Sequence, residues 1–291
     1  MIQDIFPHKL DNQFHPDTPE REDDLIFYVD QAAKTIMVSE RFDDLALPER
    51  RIFRNPLKSI YLIRLDDRNI FLVQAGAQEP GELPDGFVWK TLRELRDLHA
   101  GPQHMMFLAY TGLQLSSWYA DNVFCGRCAH ETVHSRTERA VVCPACGRTI
   151  YPRIIPAVIV GVLDPENEKI LVTKYAGRGI PYNALVAGFT EIGETLEETV
   201  AREVMEEVGL KVKNIRYYKS QPWAMADDIL MGFYCEVDGS REIRMDANEL
   251  KEAHWVTRDE LELQPDQYSL TNEMMTRFKL GQVTRAGEYR E

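Results

Sequence analysis

Residues 188–210 read GFTEIGETLEETVAREVMEEVGL, with seven glutamates in twenty-three positions. Thr195 followed by Glu198 is a capping box and Gly209 a natural C-terminal stop, so the stretch predicts a helix over 196–208. At 100° per residue, Leu196, Val200, Val204 and Val208 form one apolar stripe. Glu207 falls inside its edge, Glu203 beside it and Glu206 a little further round. A solvated acidic face is the ordinary fate of a glutamate-rich helix. Against that reading, Glu203 and Glu207 repel each other as an i,i+4 pair, and they sit where uncompensated charge is expensive. No lysine on that face balances them. A divalent cation removes the conflict, and an all-oxygen donor set indicates a hard ion such as Mg²⁺ or Mn²⁺ rather than Zn²⁺. Arg202 is placed to hold a neighbouring carboxylate by a two-pronged hydrogen bond.

Upstream, residues 125–147 read CGRCAHETVHSRTERAVVCPACG, so that fourteen residues separate Cys125-x2-Cys128 from Cys143-x2-Cys146. Two CxxC knuckles at this separation can set four thiolates around one Zn²⁺. The coordination shell is then closed, and the ion structural. A redox CxxC would call for one pair in a βα context, not two glycine-associated pairs. His130 and His134 lie between the knuckles and are the competing ligands. A fifth cysteine, Cys235, falls in the strand-like MGFYCEV and reads as a buried core thiol.

The chain has 291 residues, 44% of them hydrophobic, enough for two domains of ordinary size or one large one. A net charge of −13 does not suggest an overall nucleic-acid or anionic-membrane surface. The best basic cluster, HSRTER at 134–139, holds only two arginines. The first residues lack a signal-peptide pattern, and no run approaches the roughly 20 apolar residues of a spanning helix, so a cytoplasmic location is expected. Three pieces are expected: an N-terminal α+β domain at 1–120, the four-cysteine ribbon at 121–151, and an α/β domain at 152–285. LIFYV (25–29), SIYLIRL (59–65) and NIFLVQ (69–74) read as strands, the last two as a hairpin, followed by helices at 91–98 and 105–120. AVIVGVL (157–163) and ILVTKY form a second hairpin ahead of the acidic helix, and 259–280 looks helical. Hairpin then TLREL in one half, hairpin then TLEET in the other, suggests that the first half is a diverged copy without the acidic helix.

Gly188, five residues, Glu194, seven residues, then Arg202-Glu203-Val204-Met205-Glu206-Glu207-Val208-Gly209-Leu210 resembles the Nudix box with every specified position filled. The resemblance implies an α/β/α sandwich with a mixed sheet, whose loop–helix–loop binds two or three Mg²⁺ or Mn²⁺ ions and hydrolyses a nucleoside diphosphate linked to another group. By the same resemblance the Ala187 carbonyl, Glu203, Glu207 and Glu249 ligate the ions. Glu206 is a further ligand or a candidate base, Glu194 braces Arg202, and Gly188 and Gly209 shape the loop.

Ten residues on stands SQPW, Ser220-Gln221-Pro222-Trp223. Ribbon, box and SQPW together resemble the NADH pyrophosphatase subfamily over most of 91–275. Members split NADH or NAD into nicotinamide mononucleotide and AMP, and some remove NAD caps from RNA 5′ ends. They are homodimers in which the N-terminal domains help build the sites. Trp223 and Phe189 are candidate stacking faces, although both types are more often core residues. Tyr151 and Arg93 match substrate-contacting positions of the subfamily, and SLTNEMM, with Thr271 where a smaller residue is usual, resembles its closing helix. One departure stands out. SQPW usually continues Pro-Phe-Pro-x-Ser, but here Ala224-Met225-Ala226-Asp227-Asp228 follows. The expected loop is more flexible and more acidic, with drift toward another nucleoside diphosphate such as ADP-ribose as one consequence and an extra cation on Asp227 and Asp228 as another. A nucleotide- or RNA-binding regulatory module is the remaining alternative, which the intact glutamates argue against.

Overall fold

A computed structural model of the protein describes residues 1–75, 83–177, 182–265, 267–286 and 288–289. The chain divides into two compact units, one of Ile2–Arg153, the other of Ile154–Glu291 with Met1.

In the first unit, β1 (Leu10–Asp11), β2 (Leu25–Asp30), β3 (Thr35–Ser39), β4 (Ile60–Leu65), β5 (Arg68–Ala75) and β6 (Phe87–Lys90) form one sheet in the order β1-β4-β5-β2-β3-β6. β2 and β5 run parallel, and the other pairs are antiparallel. The expected β4–β5 hairpin is present, and Asp66 turns it at φ 54. Ile26, Phe27 and Val29 are fully buried, as a central strand covered on both faces requires. α1 (Leu92–Asp97) opens with a capping box of Thr91 and Glu94, and α2 (Gln103–Asp121) follows. The ribbon adds three two-residue strands, β7 (Val133–His134), β8 (Val141–Val142) and β9 (Thr149–Ile150), paired in sequence.

The second unit is built on β10 (Ile155–Asp164), β11 (Lys169–Tyr175), β12 (Val186–Phe189), β13 (Val212–Trp223), β14 (Asp228–Val237) and β15 (Leu250–Thr257). Five of these run in the order β13-β14-β10-β11-β15, and β12 also pairs with β10. β10 and β14 are parallel over nine registered pairs, Ile155↔Asp228 to Leu163↔Glu236. The sheet is therefore mixed. α3 (Leu196–Val208) packs Val200, Val204 and Val208 onto one face, together with Val158, Val160 and Phe233. α4 (Leu270–Lys279) packs Met274, Met275 and Phe278 onto the other, with Ala157, Ile159 and Tyr234. A helix on each face of the sheet is the α/β/α sandwich.

The two sheets share a plan. β4-β5-β2-β3-β6 and β13-β14-β10-β11-β15 have the same order and the same sequence of antiparallel, parallel, antiparallel and antiparallel pairings. The equivalences differ from those the sequence suggested. β4–β5 corresponds to β13–β14, not to β10–β11. TLREL follows the last strand of its sheet, where the second unit has Thr257-Arg258-Asp259-Glu260-Leu261, also a Thr–Glu box with a fully buried leucine. It is not the counterpart of TLEET. The expected helix over 259–280 is likewise shorter: among the described residues of that stretch Leu270–Lys279 is helical, and 258–260 lie in the turn that Thr257 and Glu260 close.

Candidate active site

α3 starts where the capping box predicts, with Thr195 N donating to Glu198 Oε2 at 2.8 Å and Glu198 N to Thr195 Oγ1 at 3.2 Å. It stops at Gly209, whose φ of 69 is left-handed. Burying the valine stripe draws two carboxylates inward. Glu203 is 9% exposed and Glu207 1%, whereas Glu206 is open to solvent. β12 lies directly against them. Ala187 N donates to Glu207 Oε1 at 3.4 Å, and a Cβ on Gly188 would meet the Glu203 carboxyl atoms at 1.9 to 2.3 Å. Only glycine lets the backbone come so close.

The counter-charge on this face is arginine, not lysine. Arg202 grips Glu194 with Nε and Nη2 at 2.6 and 2.9 Å, and Nη2 also donates to Phe189 O at 2.9 Å. Its Nη1 donates to Glu203 Oε1 at 2.7 Å and to Glu206 Oε2 at 3.0 Å. The bidentate Arg202 contact holds the Glu194 carboxyl down to about 2. Burial pushes the Glu203 carboxyl up, Arg202 opposing the effect and the charges of Glu206 and Glu249 adding to it. Glu249 is exposed and immediately precedes β15. Thr199, which the sequence reading passed over, is fully buried and donates to Glu194 Oε2 at 3.1 Å. Its one signal was a polar residue one helical turn past the N-cap.

These residues fit hard cations. All the donors are oxygens, and the close approach that Gly188 permits puts a buried carboxylate against main chain, with Glu203, Glu207, Glu249 and the Ala187 carbonyl as the available set. Glu206, tied to Arg202, stands at the exposed rim.

Among the described residues, the group of possible metal ligands whose atoms all lie within 4.8 Å of one another is Cys125, Cys128, Cys143 and Cys146. Cys125 and Cys146 Sγ are 3.7 Å apart, Cys128 and Cys143 Sγ 3.5 Å. Four sulfurs at tetrahedral corners about 2.3 Å from a zinc ion would be roughly 3.8 Å apart. The knuckles are built alike: Ala129 N donates to Cys125 O and Gly147 N to Cys143 O, at 2.8 and 2.9 Å, and both donor residues have positive φ. The histidines are engaged elsewhere. His130 Nδ1 meets Cys128 O at 3.1 Å, and His134 stacks on Tyr119.

SQPW closes β13. Ser220 and Trp223 are half-buried, Pro222 is exposed, and Trp223 packs on the α4-side core. Gln221 is fully buried, its Nε2 donating to Tyr268 O at 2.5 Å and its Oε1 accepting from Leu270 N at 2.6 Å, so it anchors the start of α4. Phe189 is 50% exposed at the end of β12. The segment after Trp223 differs from expectation, since only 224–227 form a turn and Asp228 is the first residue of β14, 6% exposed. The two aspartates therefore do not form an exposed acidic loop. In the first unit, Tyr151 is 56% exposed and donates to Glu138 Oε1 at 3.0 Å, and Arg93 is exposed, with Nε 4.0 Å from Asp97.

Comparison with known proteins agrees with this geometry. The NUDIX domain family matches residues 153–278, and the NADH pyrophosphatase zinc ribbon domain matches 120–151. Proteins called NAD-capped RNA hydrolase NudC from Escherichia coli O1:K1 and from Escherichia coli SMS-3-5 are each 42% identical over 175 residues. That stretch is 60% of this chain and 66% of either relative, slightly under two thirds of its length. A solved NUDIX hydrolase from Nitrosomonas europaea matches at a TM-score of 0.46 and 20% identity, covering 54% of this chain and 90% of that one. The box on α3, the helices on both faces of a mixed sheet and the four gathered thiols thus stand in a chain whose residues 153–278 match the NUDIX domain and whose residues 120–151 match the NADH pyrophosphatase zinc ribbon domain.

Proposed function

We propose that the chain hydrolyses the diphosphate of NADH or NAD to nicotinamide mononucleotide and AMP, and removes the same group from NAD-capped RNA 5′ ends. The observation that carries this reading is the pair of buried carboxylates, Glu203 and Glu207, pressed against Ala187 and Gly188. Bound Mg²⁺ or Mn²⁺ would supply neutralisation of the diphosphate and activation of the attacking water. Glu203, Glu207, Glu249 and the Ala187 carbonyl would hold the ions. Arg202, fixed by Glu194, keeps Glu203 and Glu206 in register. Glu206, at the exposed rim, is the candidate to accept the water proton. The water oxygen bonds to one phosphorus, the bridging P–O bond breaks, and the two mononucleotides leave.

Phe189 and Trp223 offer ring faces to the substrate, while Ser220, Gln221 and Pro222 set the position of Trp223. Tyr151 and Arg93 are further candidate substrate contacts. The relatives' name supports the NAD-cap reading, and the ribbon family supports NADH. We assign the three domains 1–120, 121–151 and 152–285, a homodimer and a cytoplasmic setting to the same reading; among the described residues no helix is long and apolar enough to cross a membrane.

The altered segment 224–228 favours a second reading, in which another nucleoside diphosphate such as ADP-ribose is preferred. The test is chromatographic product analysis with NADH, NAD, ADP-ribose and NAD-capped RNA in Mg²⁺ or Mn²⁺, beside Glu207→Gln. AMP with the reduced mononucleotide from NADH at the fastest rate, lost in the variant, supports the first reading. A faster rate on ADP-ribose supports the second, and no metal-dependent hydrolysis of any substrate overturns both.

A further inference from the structure

The carboxylates of the candidate ion site are held in two different ways. Arg202 Nη1 donates to Glu203 and Ala187 N to Glu207, so both carboxylates of α3 are engaged by a neighbour. Glu249 is exposed in the turn 247–249 ahead of β15, and among the described residues no hydrogen bond or ion pair holds its carboxylate. Its charge nevertheless acts on Glu203. The place of that carboxylate is therefore set by the backbone beneath it, and this backbone is built on α3. Arg244 N donates to Val208 O at 2.8 Å and Asp246 N to Glu207 O at 2.9 Å, which satisfies two carbonyls that the helix end leaves open. The crossing is close, since a Cβ on Gly209 would meet Arg244 Cβ at 2.8 Å. Asp246 O then accepts from Glu249 N at 3.3 Å and from Leu250 N at 2.9 Å, while Ala176 N donates to Glu249 O at 2.8 Å. Asp246 Oδ1 accepts from Asn248 N at 2.8 Å and from Asn248 Nδ2 at 2.9 Å, closing the turn. One residue thus bonds the peptide of Glu207 on one side and that of Glu249 on the other.

We propose that Asp246 is a positioning residue for the ion site: its carboxylate locks the 247–249 turn and so presents Glu249 to the ions that Glu203 and Glu207 would hold. This role rests on the metal-dependent hydrolysis reading above. An aspartate that closes a turn can also serve the fold alone. The two roles differ in whether the effect of Asp246 passes through Glu249. They separate cleanly, because an alanine at 246 keeps every main-chain bond and removes only the lock.

The experiment titrates Mn²⁺ into the intact chain without substrate, reading free Mn²⁺ by electron paramagnetic resonance. Wild type, Asp246→Ala, Asp246→Asn, Glu249→Gln and the double variant of Asp246→Ala with Glu249→Gln are compared, each checked for folding by thermal melting. Asp246→Ala is expected to weaken the Glu249-dependent ion about tenfold. Asp246→Asn, whose amide oxygen still accepts from Asn248, recovers most of that loss. On the Glu249→Gln background the alanine has no further effect, as expected of one residue acting through another. In turnover, Asp246→Ala raises the Mn²⁺ concentration needed for half the maximal rate and leaves KM for NADH at saturating Mn²⁺ unchanged. If Asp246→Ala does not fold, Asn248→Ala, which removes the Nδ2 donor alone, gives a smaller loss of the same kind, and no loss there overturns the proposal. Mn²⁺ binding unchanged in Asp246→Ala or in Glu249→Gln, equal losses with alanine and asparagine at 246, or losses that add in the double variant overturn it as well. Mn²⁺ binding that depends on both residues, without hydrolysis of any dinucleotide, overturns the enzymatic reading and leaves the role of Asp246 standing.

Discussion

Two sheets of one strand plan sit in this chain, and they differ most between the central hairpin and the next one. In the first unit the interval from β3 to β4 holds two short 3₁₀ turns, Phe42–Asp44 and Arg50–Ile52; in the second, the interval from β11 to β13 holds β12 and α3. The framework of parallel central strands, antiparallel hairpins and a closing Thr–Glu box is complete in both. The strand plan therefore does not require the acidic helix, although in the second unit the valines of that helix form the core on one face of the sheet. The buried aspartates make the same contrast. Asp24, at the entrance to β2, is fully buried and accepts from Arg21 N and Nη2 and from Asn69 N and Nδ2 at 2.8 to 3.2 Å. Asp228, at the entrance to β14, is buried with an oxygen left over.

The sharpest break of the comparison is Glu207→Gln, expected to lower kcat/KM about 10³-fold by removing several kcal/mol of metal-assisted stabilisation. Glu94→Gln, in the capping box of the first unit, leaves turnover unchanged in the same steady-state assay. Glycines give the next test. Gly188→Ala drives a methyl into the Glu203 carboxylate and displaces it, with a loss of about 10²-fold in kcat/KM. Gly112→Ala, whose Cβ would meet the Phe27 ring at 2.7 Å, costs about 1–3 kcal/mol in denaturant unfolding and nothing in the chemistry of the folded protein.

The aspartates should then respond with opposite signs. Asp24→Asn destabilises by about 2 kcal/mol, because donors placed for a carboxylate lose their partner. Asp228 has a folded value of about 6, above the roughly 3.9 of an unfolded aspartate, so its contribution to stability declines as pH rises between those values and stays low above them. Asp228→Asn accordingly stabilises by about 2 kcal/mol at pH 8, with the gain vanishing near pH 4 in paired urea titrations. The smallest effect belongs to Glu194. Its carboxyl, held at about 2 by Arg202, adds stability that is present above the unfolded value and is lost as pH falls toward about 2. Glu194→Gln flattens that acid limb of the unfolding curve.

Features that sequence conveyed well are local. α3 announces both its ends through Thr195, Glu198 and Gly209, and its valine spacing places Glu203 and Glu207 at the core edge, where the structure has them. The knuckles need only spacing. Features that misled or stayed hidden are non-local. TLREL and TLEET look alike because a capping box is written the same way wherever a helical turn starts, whereas their places are set by the parallel pairings β2–β5 and β10–β14, which join strands far apart in the chain. β12, four residues long, is a strand only because β10 pairs with it. Asp228 read as loop because its burial comes from Ile155 and Trp223 on either side, and neither neighbour is visible from its own position.

The five cysteines have a practical consequence at the bench. Four are committed to one ion, while Cys235 is completely buried and its thiol is pushed up by that burial. A colorimetric thiol reagent should therefore register almost nothing with the native, zinc-loaded protein, four equivalents once a chelator strips the ribbon, and the fifth only in denaturant. One cuvette thus grades a preparation for both metal content and foldedness before any substrate is added.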